Sequence, residues 1–217
     1  MAKKWARFPH PDKAYVLDAA GLKKRWARLH KGDCEPLPRD PAVLAAWGHY
    51  HAGDFGAAVK AGLAAGGAGS NAAAKAQAIY ATYLEKSDQA RLALFEEAAA
   101  WPDARRAEAP KDANAHYLHA YALGRYSQGI SVANALAQGY GGRIKSALLT
   151  ALKLAPKHAE AHTAYGAYQA EVIEKVGALV AGMTYGATRD SAIEHYEKAL
   201  AIHPASAIAR VECANGL

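Results

Sequence analysis

The chain has 217 residues with a 52% hydrophobic fraction inflated by alanine and 9% aromatics, including 12 tyrosines, so it can bury a real core as one elongated domain or two small ones, which excludes disorder. The formal charge of +6 is concentrated at one end: residues 1–40 carry ten Lys/Arg against five Asp/Glu, the rest sixteen against fifteen. The two cysteines, Cys34 and Cys213, stand near opposite ends and form no spaced pair, which argues against a disulfide framework and a zinc knuckle.

Residues 1–13 hold Pro9 and Pro11 and read as an irregular basic lead. No apolar run follows, so neither a signal peptide nor a lipoprotein cysteine is expected, and the expected location is cytoplasmic. A helix is expected over Ala14–Lys31, with a break near Gly21. Leu22, Trp26 and Leu29 recur on one face, with the basic stripe Lys24, Arg28 and Lys31 beside it. Two readings stand: a cap helix whose lysines face water, or a contact to an anionic partner, namely nucleic acid, a phospholipid surface or an acidic protein. No nucleic-acid motif accompanies the stripe, and no nucleic-acid partner is expected. Residues 1–40 form this lead and cap.

Cys34–Asp40 reads as a loop, and Pro41 opens a helix at its first turn with Asp40 as N-cap. The helices 42–52 and 57–65 follow, joined at Gly53-Asp54-Phe55. Gly62 inside the second and the break Gly66–Ser70 after it mark this pair as the least stable, at about 0.8–1 kcal/mol per helix-interior glycine. Asn71 is the expected N-cap of a helix over 72–86, and Ser87 or Asp88 that of a helix over 88–100 stopped by Pro102. A charged connector, 103–111, comes next.

Two long units then resemble each other. Asn114-Ala115-His116-Tyr117 corresponds to Glu160-Ala161-His162-Thr163 roughly 46 residues later, an internal duplication. Each unit runs through an apolar, small-residue insertion to a tyrosine–glycine turn, Gly139-Tyr140-Gly141-Gly142 or Thr184-Tyr185-Gly186-Ala187, and then into a helix ending at Pro156 or Pro204. The insertions should lengthen the helices and pack on each other. The longest apolar stretch, Val176–Met183, is too short to span a bilayer. Residues 205–217 should form a capping helix. Nine to eleven helices and no sheet are expected.

Histidine pairs invite a metal reading: His116 with His119, His158 with His162, His49 with His51. None carries a matched carboxylate, and structural imidazoles are the expected outcome. Glu171 with Glu174 reads as a solvated face. No Gly-x-Ser-x-Gly elbow, phosphate loop or activated cysteine occurs. Neither an enzyme nor a cofactor is expected.

At Ala159–Pro204, Gly166, Ala192 and Ala199 sit where two helices must approach, Tyr165, Tyr196, Leu200 and Ile202 pack around them, and Pro204 stops the second helix. This pattern resembles a tetratricopeptide (TPR) repeat, and the resemblance covers roughly residues 41–204 as about four helix pairs, the last two lengthened. It implies an all-α, TPR-like helical-hairpin solenoid, a right-handed superhelix whose concave face takes a peptide or partner helix. Tyr117, Tyr121, Thr163 and Ala167 occupy slots of the family's carboxylate clamp, which is therefore absent. The resemblance places Tyr117, Tyr121 and Arg125 on the groove face, with Tyr83 joining them, as partner-binding residues for a protein or peptide partner. The expected function is a non-catalytic interaction scaffold. The alternative is a carrier of a small apolar ligand in a cavity between the extended helices.

Overall fold

Polar side chains set most helix starts. Asp18, Asp40, Asp54, Ser87 and Asp112 each accept a hydrogen bond from a backbone N–H two or three residues on. The computed structural model describes residues 5–216, all-α with no strand among them. Met1 to Lys4 of the basic lead and Leu217 of the expected terminal helix lie outside the described residues.

Twelve α-helices follow in order among the described residues: α1 (Ala19–Leu29), α2 (Pro41–His51), α3 (Phe55–Ala65), α4 (Gly69–Tyr83), α5 (Asp88–Glu108), α6 (Ala113–Gln128), α7 (Val132–Ala137), α8 (Tyr140–Leu154), α9 (Ala159–Val176), α10 (Ala178–Val180), α11 (Arg189–Ile202) and α12 (Ala207–Gly216). A 3₁₀ turn precedes α1 at Lys13–Tyr15, and a π turn, Ala181–Tyr185, extends α10. The hairpins are α2/α3, α4/α5, α6/α8 and α9/α11. The first helices also touch in sequence: α2 with α4, α4 with α6, α6 with α9, α9 with α12. One buried cluster runs through the middle, from Phe55 and Tyr80 to Leu148 and Tyr168; a second, around Trp26 and Trp47, joins α1 to α2.

Several expectations need correction. The first helix starts at Ala19 because Asp18 caps it, and Gly21 lies in its first turn, donating to Asp18 rather than breaking the helix. Leu22 and Trp26 are buried, but Leu29 is exposed, so the stripe covers α2 with two residues, not three. Helix α4 starts before Asn71, whose amide is buried and donates to Asp112 at 3.2 Å. Pro102 does not stop α5, which runs on to Glu108. A proline there removes the N–H that would serve the Ala98 carbonyl. The side chain of Pro102 is buried, and the neighbouring Ala99 carbonyl accepts from His119 Nδ1 at 3.0 Å, so the core holds the helix through the defect.

Gly62 is required rather than a weakness. A Cβ on it would stand 2.5 Å from the Gly69 carbonyl oxygen, so the α3–α4 crossing exists only with glycine. Gly166 acts similarly, with a Cβ meeting the Ala192 carbonyl at 3.0 Å.

The insertions do not form a mutual core. Helix α6 ends at Gly129 and α9 at Gly177, the latter at φ 80°. The chain then turns back, setting α7 on α8 and α10 on α9. The turn after α10 instead meets the start of α8, where Tyr185 covers Gly141 and its carbonyl accepts from Lys145 Nζ at 2.5 Å.

Candidate functional site: the cavity on the first-helix face

The face formed by the first helices is closed at one end by the chain itself. The segment after α1, His30 to Glu35, runs across it. Asp33, buried at 2% exposure, takes Lys75 Nζ of α4 at 2.5 Å, and the same nitrogen reaches Glu160 of α9 at 2.9 Å. Lys75 sits in the run Ala72-Ala73-Ala74-Lys75-Ala76, buried throughout. Burial disfavours its charge, yet Asp33 and Glu160 outweigh burial and hold its pKa well above the ordinary lysine value. Burial likewise opposes ionisation of Asp33; Lys75 and then His30 reverse this and hold the carboxyl far below its usual range. Removing one partner from such a buried cluster costs about 3–5 kcal/mol.

Backbone bonds complete the strap. The Gly32 carbonyl accepts from Glu160 N–H at 2.9 Å, and Asn114 Nδ2 donates to the Asp33 carbonyl at 2.9 Å. Asn114 Oδ1 in turn accepts from His158 Nε2 at 3.0 Å. His158 is also the N-cap of α9, its Nδ1 accepting from Ala161 N–H, so it must be neutral. Burial first of all pushes its pKa down to about 3, which keeps it so. On the other side, His30 Nδ1 donates to Asp33 at 3.0 Å, and its Nε2 meets His51 Nε2 at 3.1 Å.

Beyond the strap lies a cavity of about 340 Å³ between α4, α6, α8 and α9, with α7 and α12 at its rim. Its wall is largely apolar: Ile79, Leu118, Ile144, Leu148 and Val172 among others. All four sequence-expected partner residues line it. They differ in availability. Tyr117 is buried, with its ring 4.6 Å from that of His158. Tyr121 faces Thr82 at 3.4 Å. Arg125 stacks over Tyr121 at 5.5 Å and is bound to Glu212 of α12 at 2.7 Å. Tyr83 stands at the mouth, 59% exposed. Of the basic stripe, Lys24 and Arg28 are exposed on α1 and Lys31 is exposed just after it, all three away from the cavity lining.

Of the expected pairs, His51, His116, His119, His158 and His162 bond to the backbone or to residues outside their own pair, not to their pair mates. His116 Nε2 donates to the Pro110 carbonyl at 3.0 Å, and His162 Nε2 to the Pro156 carbonyl at 3.1 Å, which ties the loop before each helix to its first turn. His162 Nδ1 then accepts from His195 Nδ1 at 2.9 Å.

Sequence reasoning missed the strap. Two signals pointed to it: two acids, Asp33 and Glu35, inside a basic segment, and one lysine inside an alanine run. Each finds its meaning only in the other.

Fold and cavity together define an all-α stack of helical hairpins with a cavity on its first-helix face. Residues 71–214 match the family described as regulator of microtubule dynamics protein 1-3, and the chain belongs to that family. No curated protein matches it.

Proposed function

We propose that this chain is a non-catalytic binding protein of divergent TPR type, and that its cavity takes the apolar part of a compact ligand. The observation that carries this reading is the closure of the first-helix face. The His30–Glu35 strap fills one end and α12, through Arg125–Glu212, walls the other, which leaves a bounded apolar volume rather than a groove along which an extended peptide can lie. Its size and lining, apolar walls with a few placed polar groups, suit a small apolar ligand. A second reading, the scaffold that binds a partner helix, draws on Tyr83 at the mouth and on the family description. A tyrosine there offers contact area with little rotamer entropy to lose.

The test uses Gly124, which lines the cavity and whose added Cβ would meet nothing within 4 Å. Gly124→Leu should fill the volume while keeping the fold. Chain purified from its host without extraction should carry an apolar small molecule, seen by native mass spectrometry and lost in Gly124→Leu. A ligand-free wild type that instead retains a protein through Tyr83 would support the scaffold reading and reject the carrier.

A further inference from the structure

From Ala113 to Ala159 the chain has no aspartate or glutamate and five basic residues, Arg125, Arg143, Lys145, Lys153 and Lys157. Residues 126–142 within it carry no charge, and neither do residues 176–188 of the next hairpin. Cations bound both uncharged stretches: Arg125 and Arg143 the first, Lys175 and Arg189 the second.

These stretches are the α7 and α10 tips, and they leave large apolar side chains in water. Met183 is 82% exposed, Leu179 76%, Leu136 50% and Val180 48%. The contacts of Tyr185 with Gly141 and Lys145 hold the turn after α10 against the start of α8, on which α7 also packs. The outer side of α8 continues the surface: Leu149 and Leu154 are exposed there between Arg143, Lys153 and Lys157, themselves exposed. Acids enter from the neighbouring hairpins: on α5, Asp103 lies within the field of Arg143 but is paired with Arg106, and Glu96 lies near Tyr126. On the fourth hairpin, Glu171 is neutralised by Lys175 at 2.6 Å, and Glu174 and Asp190 are exposed at its margin. The positive field therefore belongs to the α8 side.

An apolar patch of this kind costs free energy in water unless something covers it. The tips are built from Leu, Val, Met, Ala and Gly, and their exposed residues include no aromatic or arginine anchor of the sort that dominates protein interfaces. Short apolar protrusions beside a basic helix that carries no acid of its own match the requirements of the bilayer interface, where side chains enter the acyl boundary and Lys/Arg meet lipid phosphates. We propose that α7, the α10 turn and the outer face of α8 form a docking surface for a bilayer containing anionic phospholipid. Leu179 and Met183 enter the headgroup–acyl boundary, and Arg143, Lys153 and Lys157 lie against the phosphates. This surface goes beyond the cavity reading: Leu136 of α7 also lines the cavity, but Leu179, Met183, Arg143 and Lys153, on which the test rests, do not.

The experiment sediments the full chain with phosphatidylcholine vesicles, with and without phosphatidylserine. Binding is expected only with phosphatidylserine, weakening as salt rises. Leu179→Asp/Met183→Asp and Arg143→Glu/Lys153→Glu should each lower partitioning by at least about tenfold. All four positions are exposed, so circular dichroism and melting should match wild type. In Leu179→Trp, the added fluorescence should shift blue and be quenched by brominated acyl chains when phosphatidylserine is present. No sedimentation with phosphatidylserine vesicles, or undiminished binding in both double variants, overturns the proposal. Loss in Lys24→Glu/Arg28→Glu alone overturns it by moving the contact to α1. Capture of a protein by the tips without vesicle binding overturns it in favour of a protein interface.

Discussion

Glu35 is the strap side chain with an unpartnered buried oxygen, its Oε2, and the residue is buried at 5% exposure. Burial, and then the charges of Asp33 and Asp112, push its pKa well above 4.5. The folded chain therefore keeps a proton that the unfolded chain releases. The associated stability is fully present below about pH 4.5 and is lost as pH rises through the folded value. Glu35→Gln fixes the neutral form. We expect the variant to exceed wild type by about 1–3 kcal/mol at pH 8 and to match it near pH 4.5, read by denaturant melts at both pH values. Equal stability at pH 8 would mean that water reaches the carboxylate. Lys75 shows the same dependence on surroundings from the other side: an alanine run reads as a buried helix, and a lysine in it is legible only as an anomaly until Asp33 and Glu160 are placed against it.

Among elements, the glycines separate what a sequence can price from what it cannot. Propensity assigns Gly62 and Gly124 the same helix-interior cost. The structure gives them opposite signs. Gly62→Ala places a Cβ against the Gly69 carbonyl and should cost about 1–3 kcal/mol. Gly124→Ala meets nothing and should gain up to about 1 kcal/mol. Thermal melts of the two single variants check this, and a stabilised Gly62→Ala would show that α3 and α4 do not cross so closely. Pro102 teaches the same lesson. Its local effect ends helices, but a buried ring and a histidine donor to Ala99 carry α5 through it.

For the whole molecule, the N-terminal lead and strap act as part of the core rather than as an appendage. Trp5 packs on Tyr80 with ring centroids 4.5 Å apart, Trp26 joins Trp47, and Asp33 closes the Lys75 cluster. Deleting residues 1–35 should lower the melting temperature sharply, since burial of Leu22 and Trp26 alone contributes about 1.5–3 kcal/mol each and Lys75 loses its closest partner. A truncated chain that melts like the full one would show that the hairpins stand without the strap. The same deletion would open the closed end of the cavity, so a ligand held by wild type should leave faster from any folded truncate.

Helix content, the hairpin order and most helix starts were determined by the sequence alone, because caps, prolines and apolar spacing act within a turn or two of the chain: Asp40 beside Pro41, Ser87 before α5. The groove side of Tyr117, Tyr121 and Arg125 was legible by analogy with the repeat. That Arg125 is tied to Glu212, that Tyr117 is packed away, and that Lys75 bridges Asp33 and Glu160 was decided only by the tertiary structure. These pairs lie 42 to 87 residues apart among the bonds they make. Separations of that size leave no periodic trace in a single chain, and the balance between burial and charge pairing that fixes such groups exists only once the helices have stacked.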